Sequence, residues 1–267
     1  GKGMASSAAR SELLGMALFG ASLGTLVGLT LGLLGGGGSV LTVPLLVYAL
    51  GLAPKVAIAS SLAVVGMVSL VGAHQHARAG NVEVRTAVVF GLVAMVGAWL
   101  GARASVWLPG TVQLALFAVV MLVAAVFMLR GRPDVQGTTP RNRTVVATAA
   151  LAVGALTGVV GVGGGFVIVP TLVLLLGVPM KRAVGTSLLV IAMNSTAGFV
   201  GYLSQVTIPW GLLAGFALFA LAGIVIGSRL AQHLAAETLR KAFAVFLIMV
   251  AVFMLVQNLA FTAGSAP

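Results

Sequence analysis

The chain has 267 residues, of which 60% are hydrophobic and only 7% are charged, and its mean hydropathy is +1.17. An ordinary soluble domain carries about a quarter charged residues, so this composition excludes a soluble fold and predicts an integral membrane protein. The net charge of +11 does not indicate nucleic-acid binding, because the 15 Lys and Arg residues separate apolar segments and do not line one face. The absence of cysteine excludes disulfides, and three His without Cys predict neither a metal site nor a cofactor.

Ten apolar segments follow one another along the chain, and we predict a helix for each of them. The second segment of each half is short, so it either crosses the membrane or re-enters it from one side. The sequence therefore predicts an all-α polytopic membrane protein with an N-terminal transmembrane repeat at 11–129, a cytoplasmic linker at 130–143 and a C-terminal transmembrane repeat at 144–260. The segments are 13–34, 38–52, 56–75, 86–106 and 112–129, then 145–161, 164–178, 183–203, 208–227 and 242–258.

The two halves are copies of one another at an offset of 126 positions, the difference between 28 and 154. Apolar composition alone would make scattered Leu and Val residues coincide, but it would not make Gly, Pro, Lys and Arg coincide. We therefore predict a duplicated fold. The coincident pairs include Gly28 and Gly154, Gly32 and Gly158, Pro44 and Pro170, Lys55 and Lys181, and Arg103 and Arg229.

The distribution of basic residues predicts how the halves are oriented. If all five segments of each half cross the membrane, the two halves are inverted relative to each other. The same holds if the first two segments form a re-entrant hairpin, because a hairpin returns the chain to the same side as two crossings do. Either arrangement leaves eleven basic residues on one side and four on the other. Four crossings per half would divide the same residues almost evenly. Because cytoplasmic loops carry the excess of Lys and Arg, we predict two inverted repeats with both termini on the periplasmic or extracellular side. The predicted cytoplasmic set is Arg78, Arg85, Arg130, Arg132, Arg141, Arg143, Lys181, Arg182, Arg229, Arg240 and Lys241, and the other set is Lys2, Arg10, Lys55 and Arg103.

Glycine runs at 35–38 and 161–165 precede the short second helix of each half, so both halves contain an interrupted helix at the same place. Paired interruptions of this kind indicate the binding site of a transporter. The N-terminus of a helix has unpaired N–H groups and a positive dipole end, which favour an anion, although glycines also permit close helix packing. Gly97-x-x-x-Gly101 and Gly223-x-x-x-Gly227 are interpreted as packing alone. The predicted substrate-binding residues at the runs are Gly37, Gly38, Ser39, Gly163, Gly164 and Gly165.

Polar residues on the third segment of each half extend this predicted site. A lone Ser or Thr in a membrane helix commonly bonds its own backbone, so each hydroxyl has a structural alternative. The amide of Asn194 is costly in hydrocarbon without a partner, and both a ligand contact and an interhelical hydrogen bond would satisfy it. The candidates are Ser60, Ser61, Thr186, Ser187, Asn194 and Ser195.

Four residues near segment ends are candidates for gating or for attracting an anion. His74 and Gln75 end a span, where they would form a polar cap at the interface or a proton-sensitive gate. Lys55 and Lys181 coincide in the repeat and either extend to the membrane surface or draw anions toward the site. The only four acidic residues lie at segment ends or in the linker, which argues against a cation transporter and suits an anionic substrate. They are Glu12, Glu83, Asp134 and Glu237.

The glycine runs and the helices that follow them carry a family resemblance. The stretch Gly-Leu-Leu-Gly-Gly-Gly-Gly-Ser-Val-Leu-Thr-Val-Pro at 32–44 pairs with Gly-Val-Val-Gly-Val-Gly-Gly-Gly-Phe-Val-Ile-Val-Pro at 158–170. Ala-x-x-Ser-Ser-Leu at 57–62 pairs with Ala-x-Gly-Thr-Ser-Leu at 183–188. These motifs resemble the TauE/SafE family of sulfite and organosulfonate exporters over about residues 16–258.

The resemblance implies a secondary transporter, and more specifically an exporter, of a small anion such as sulfite, sulfoacetate or a related organosulfonate across the inner membrane. A passive anion channel shares every sequence feature and stays the alternative. The expected partners are the anion and the lipid bilayer, while proton or ion coupling and the oligomeric state stay open. We expect no catalytic residues, since the sequence lacks a His and carboxylate constellation for acid–base chemistry.

Overall fold

The computed structural model describes residues 20–130, 143–160 and 164–264, and these residues form helices joined by short turns without a strand. Six helices are long and apolar enough to cross a membrane, namely α3, α4, α5, α8, α9 and α10 as bounded below. The predicted polytopic all-α membrane protein is confirmed. The helices are α1 Gly20–Leu34, α2 Ser39–Ala49, α3 Pro54–Arg78, α4 Val84–Ala104, α5 Gly110–Arg130, α6 Arg143–Val160, α7 Gly165–Leu175, α8 Met180–Tyr202, α9 Trp210–His233 and α10 Ala236–Gly264.

Proline and glycine explain why α2 is short. Pro44 has no N–H to donate to the carbonyl one turn earlier, and the helix widens into a π turn over Leu45–Ala49. The chain then passes through Gly51 at a φ of +69° and restarts as α3, with Pro54 in the first turn, where its missing N–H costs nothing. Proline and glycine thus determine where this short segment ends.

The second half repeats these local features at the offset found in the sequence. Helices α2 to α5 begin at residues 39, 54, 84 and 110, and α7 to α10 begin at 165, 180, 210 and 236. The Lys55 ammonium lies 3.3 Å from the carbonyl oxygen of Val106, and the Lys181 ammonium lies 3.2 Å from that of Gln232. Helix boundaries and individual hydrogen bonds therefore recur 126 residues apart.

Helices α3 and α8 form the centre of the molecule. Their most apolar stretches are 72% and 67% buried, against 39–44% for the other four long helices. Gly72 of α3 lies against Leu188 of α8, and Gly198 of α8 lies against Leu62 of α3. Residue numbers rise along one helix as they fall along the other, so these two corresponding helices run antiparallel, which is the orientation that inverted repeats require.

Two further helix pairs flank the centre through small residues. A methyl group on Gly97 of α4 would overlap the backbone of Leu151 in α6, and one on Gly223 of α9 would overlap that of Thr25 in α1. The packing interpretation of both small-residue patterns is confirmed. The outer faces of these helices expose large apolar side chains, as a lipid-facing surface does. They include Val89, Leu92, Val96, Leu100, Leu218, Phe219, Ile226 and Leu230.

Candidate functional site

The first glycine run forms a 3-10 turn, Gly35–Gly38, between α1 and α2, so the helix is interrupted where the sequence predicts it. Gly35 has a φ of +63°, a conformation that strains residues with a Cβ. A methyl group there would also stand 2.8 Å from the hydroxyl oxygen of Ser187 on α8. The predicted site residues Gly37 and Gly38 belong to this turn, which packs against α8.

The second run also interrupts its helix. Gly164 has a φ of +67°, and α7 begins at the next residue, Gly165. Residues 161–163 lie outside the described residues, and the predicted site residue Gly163 is one of them. The hydroxyl of buried Thr157, at the end of α6, donates to the carbonyl of Val153 at 2.8 Å and occupies the space that a side chain on Gly164 would need.

The two interruptions meet in the interior. A methyl group on Gly36 would overlap the backbone of Gly165, and the reverse is also true, so the backbones are in direct contact. The hydroxyl of Ser39, fully buried at the start of α2, donates to the Gly36 carbonyl at 2.6 Å. Gly165 also lies against the side chain of Ile191 on α8. The first turns of α2 and α7 therefore share one location beside the centre of α8.

Asn194 stands out among the residues of α8 near this location. It lies three residues beyond Ile191 and seven beyond Ser187, so the three side chains share one face of the helix. Its exposure is 0%, and neither its amide nitrogen nor its amide oxygen has a hydrogen-bond partner among the described residues. A buried amide without partners costs about 1–3 kcal/mol. This unfavourable group lies about one helical turn beyond Ile191, which contacts Gly165 at the start of α7, and it indicates a place for a polar ligand.

Two of the predicted hydroxyl groups already have protein partners. The Thr186 oxygen accepts a hydrogen bond from the backbone N–H of Glu83 at 2.9 Å, and the Ser187 hydroxyl donates to the Val184 carbonyl at 2.8 Å. Thr186 thus ties the loop before α4 to α8, and Ser187 follows its structural alternative. Four other buried hydroxyls on α3 and α8 lack a partner within the described ranges. They belong to Ser60, Ser61, Ser69 and Ser195.

The structure does not bring Ser61 and Ser187 together. Because Leu188 lies against Gly72, Ser187 is level with residue 73 of α3, 12 residues from Ser61. At 1.5 Å per residue this separates the two hydroxyls by about 18 Å along the helix pair. A single sulfite-sized anion cannot contact both. Ser187 belongs to the level of the first interruption, whereas Ser61 lies beyond the crossing point of α3 and α8.

The two repeated lysines line cavities at opposite ends of the helix bundle. The Lys55 cavity measures ≈ 500 Å³ and is bordered by Lys55, Arg103, Val106, Trp107, Ser204 and Gln205. The Lys181 cavity measures ≈ 10 Å³ and is bordered by His76, Asn81, Lys181, Val184, Ala231, Gln232 and Leu239. Lys55 with Val106 and Lys181 with Gln232 are equivalent pairs, so the cavity at this repeated position is wide in the first half and narrow in the second.

The predicted gating pair at the end of α3 is only partly placed in the interior. His74 is exposed, and Gln75 is half-buried with an unpartnered amide oxygen within the described residues. The buried imidazole is that of His76, at 2% exposure, whose Nε2 lies 3.3 Å from the Gly32 carbonyl oxygen. His76 follows Gly72 by one helical turn and shares its buried face, a periodicity signal that the sequence analysis did not use.

Buried polar residues at the Lys55 end were also missed. Tyr202, Gln113 and Ser105 are all fully buried, and the Tyr202 hydroxyl donates to the Val159 carbonyl at 3.2 Å. Only Gln113, a lone amide at the start of an apolar helix, could have been noticed from the sequence. Among the described residues, no three His, Asp or Glu side chains are close enough to share a metal ion.

Comparison with known proteins gives a consistent picture. The family model described as "Sulfite exporter TauE/SafE" matches residues 20–254. A "Probable membrane transporter protein" of Xylella fastidiosa (strain Temecula1) is 35% identical over 244 residues, covering 87% of this chain and 92% of the relative. The "Probable membrane transporter protein YdhB" of Bacillus subtilis is 26% identical over 223 residues, covering 81% and 91%. No solved structure matches the chain significantly.

Proposed function

Because the chain belongs to the sulfite exporter TauE/SafE family and is a multi-pass membrane protein, we propose that it is a secondary transporter that exports a small oxyanion. Sulfite, sulfoacetate and related organosulfonates are the proposed substrates, and the inner membrane is the proposed location. The termini are proposed to face the periplasm or the cell exterior. No catalytic activity is part of the proposal.

One observation carries this function above the others: the buried, unpartnered amide of Asn194 beside the contact between Gly36 and Gly165. An oxyanion accepts hydrogen bonds, and both the amide nitrogen of Asn194 and the free N–H groups of a helix N-terminus donate them. Charge-assisted hydrogen bonds of this kind are about twice as strong as neutral ones. The Ser39 hydroxyl, at the first residue of α2, already donates to the Gly36 carbonyl, so the donors of the proposed site are amides.

The distribution of acidic groups supports an anionic substrate. Within the described residues, the acidic side chains are those of Glu83 and Glu237, and both lie at helix ends. A carboxylate near Asn194 would repel an oxyanion in a medium of low dielectric constant, where like charges a few ångströms apart repel strongly. The proposed site is therefore neutral before it is loaded, with the donors supplied by amides.

Alternating access is the proposed mode of transport. The Lys55 cavity is wide and the equivalent Lys181 cavity is narrow, a difference that supports a transporter whose two ends open in turn. Rocking one repeat against the other would exchange the two states around the contact between the helix interruptions. The antiparallel orientation of α3 and α8 supports such an exchange, because equivalent parts of the two halves then lie at opposite ends of the molecule.

Proteoliposomes containing the purified protein test the proposal. Labelled sulfite and sulfoacetate outside the vesicles should exchange with unlabelled anion inside, with a rate that saturates as the anion concentration rises. A passive channel would show neither saturation nor counter-flow. Absence of any protein-dependent flux of sulfite, sulfoacetate and other small organosulfonates would contradict the proposal.

A further inference from the structure

We propose that the Lys55 cavity is a second, outer anion-binding site, and that a series of buried polar side chains connects it to the end of α6 as the release route. This proposal rests on the proposed function, because it names the path by which that anion leaves. The ligand class is the same small oxyanion or sulfonate.

The charges that border the Lys55 cavity are all positive. Lys55 and Arg103 both line it, and Arg103 is held 5.7 Å from the ring centre of Trp99. The acidic residues within the described ranges are Glu83 and Glu237. They lie at the starts of α4 and α10, which are at the other end of the bundle. Two cations that share a cavity of ≈ 500 Å³ without a nearby carboxylate favour an anion as its occupant.

Polar groups continue inward from this cavity. Gln205 lines the cavity, and its amide nitrogen donates to the Ala102 and Gly201 carbonyls at 3.0 Å. The Ser105 hydroxyl lies 3.5 Å from the Gln205 amide oxygen and donates to the Ala102 carbonyl at 2.7 Å. Ser105 is completely buried, so the polar surface does not stop at the mouth of the cavity.

Gln113 and Tyr202 extend this series of polar groups to the end of α6, the helix that precedes the second glycine run. The Gln113 amide nitrogen lies 3.5 Å from both the Ser105 carbonyl oxygen and the Tyr202 hydroxyl oxygen, longer than the 2.7–3.2 Å of ordinary hydrogen bonds. Its amide oxygen has no partner within the described residues, although Gln113 is 0% exposed. Tyr202 bonds to Val159, one residue before the end of α6. A loosely bonded buried amide is free to turn toward a passing anion.

The other half of the molecule lacks this series. At the equivalent positions, 126 residues away, Ala79 replaces Gln205, Ala231 replaces Ser105 and Leu239 replaces Gln113. Ala231 and Leu239 line the narrow Lys181 cavity of ≈ 10 Å³. The repeat thus provides an internal comparison, since three of the four polar positions carry apolar side chains in the other half and His76 takes the place of Tyr202. The anion is released through the end that carries the continuous polar series.

Substitution by the residues of the other half tests the release route. In proteoliposomes, Gln113→Leu and Ser105→Ala should each slow sulfoacetate release through the Lys55 end at least about fivefold, the lower range of energetic coupling between sites. The dissociation constant of the purified protein for sulfoacetate should change less than about twofold, because the inner site is intact. Ser228→Ala is the matched control, because Ser228 is a buried serine that does not belong to the series of polar side chains. This variant should keep the wild-type rate. Release at the wild-type rate by Gln113→Leu, with its folding verified by thermal unfolding, would overturn the route.

A second measurement does not depend on transport. Trp107 lines the Lys55 cavity and is 82% exposed, so a variant with Trp99→Phe and Trp210→Phe reports on that cavity alone. Iodide should quench Trp107 at least about threefold less efficiently after Lys55 and Arg103 are both changed to Gln, whereas neutral acrylamide should quench equally well. Equal iodide quenching in the two proteins would overturn the outer site. If the wild-type protein binds iodide there but moves no sulfoacetate, the proposed transport function fails while the outer site stands.

Discussion

Positions 68 and 194 are equivalent in the two halves, yet one holds Val68 and the other holds Asn194. Both lie on the two central helices, and both are almost completely buried. The helix boundaries around them coincide at an offset of 126 residues, so the backbone does not account for the difference. Duplication therefore supplies the scaffold, and we propose that anion binding depends on positions at which the halves differ.

The same lesson holds at the two ends of the bundle. Tyr202 and His76 occupy equivalent positions, and each hydrogen-bonds a carbonyl near the end of the helix that leads into a glycine run. The Lys55 cavity is the wider of the two, and His76 borders the narrow Lys181 cavity. The two equivalent positions therefore differ in their side chains and in the cavity at their end of the bundle.

Gly36→Ala should abolish transport, because the added methyl group would overlap the Gly165 backbone and force the helix interruptions apart. A displacement of about 1 Å at a binding site can cost about 100-fold in rate, and we expect a loss at least that large in vesicle flux. Gly215→Ala, where a methyl group meets nothing within 4 Å, is the matched control and should keep the wild-type rate. Normal transport by Gly36→Ala would show that the two interruptions do not form the site.

Asn194→Val introduces into the second half the residue that the first half has at the equivalent position. It should reduce transport about 10- to 100-fold, the factor that corresponds to the loss of a hydrogen bond to a charged group. Its thermal stability should be unchanged or higher, because an unpartnered buried amide is removed. The reciprocal change Val68→Asn should lower stability by about 1–3 kcal/mol without raising transport. Wild-type flux in Asn194→Val would remove Asn194 from the site.

Much of the fold was predictable from the sequence because glycine, proline and hydropathy act locally. The interruption at 35–38, the short helix ended by Pro44 and the duplicated segments all follow from backbone restrictions or from segment length. The site was harder to predict. Ser61 and Ser187 are equivalent in the repeat, but the antiparallel run of α3 and α8 separates them, and such a distance depends on tertiary packing. The burial of His76 follows instead from helix periodicity, since it lies one turn beyond buried Gly72.

The difference between the two cavities can be measured directly, because the chain contains no cysteine. Ser204→Cys in the Lys55 cavity should react with a small maleimide at least about tenfold faster than Gln232→Cys in the Lys181 cavity, which corresponds to an opening free energy of about 1.4 kcal/mol. An impermeant maleimide added on one side of the membrane would also report which end faces that side. Equal rates would mean that the ends do not differ in access.

The two repeated lysines should differ slightly in their contribution to stability. Lys181 is half-buried at its hydrogen bond to Gln232, whereas the bond from Lys55 to Val106 is exposed. Lys181→Gln should lower the free energy of unfolding by about 1 kcal/mol, and Lys55→Gln should change it by less than about 0.5 kcal/mol. Chemical or thermal unfolding in detergent would check this, and a larger loss for Lys55→Gln would reverse the comparison.

We propose that an oxyanion binds at Asn194, beside the contact between the two helix interruptions. A crystal structure of the protein with selenite, whose selenium gives an anomalous signal, tests it most directly. We predict an anomalous peak with selenite oxygens about 2.7–3.2 Å from the Asn194 amide and from backbone nitrogens at the starts of α2 and α7. A peak found only in the Lys55 cavity, with Gly36 still packed on Gly165 and the Asn194 amide unpartnered, would contradict the account.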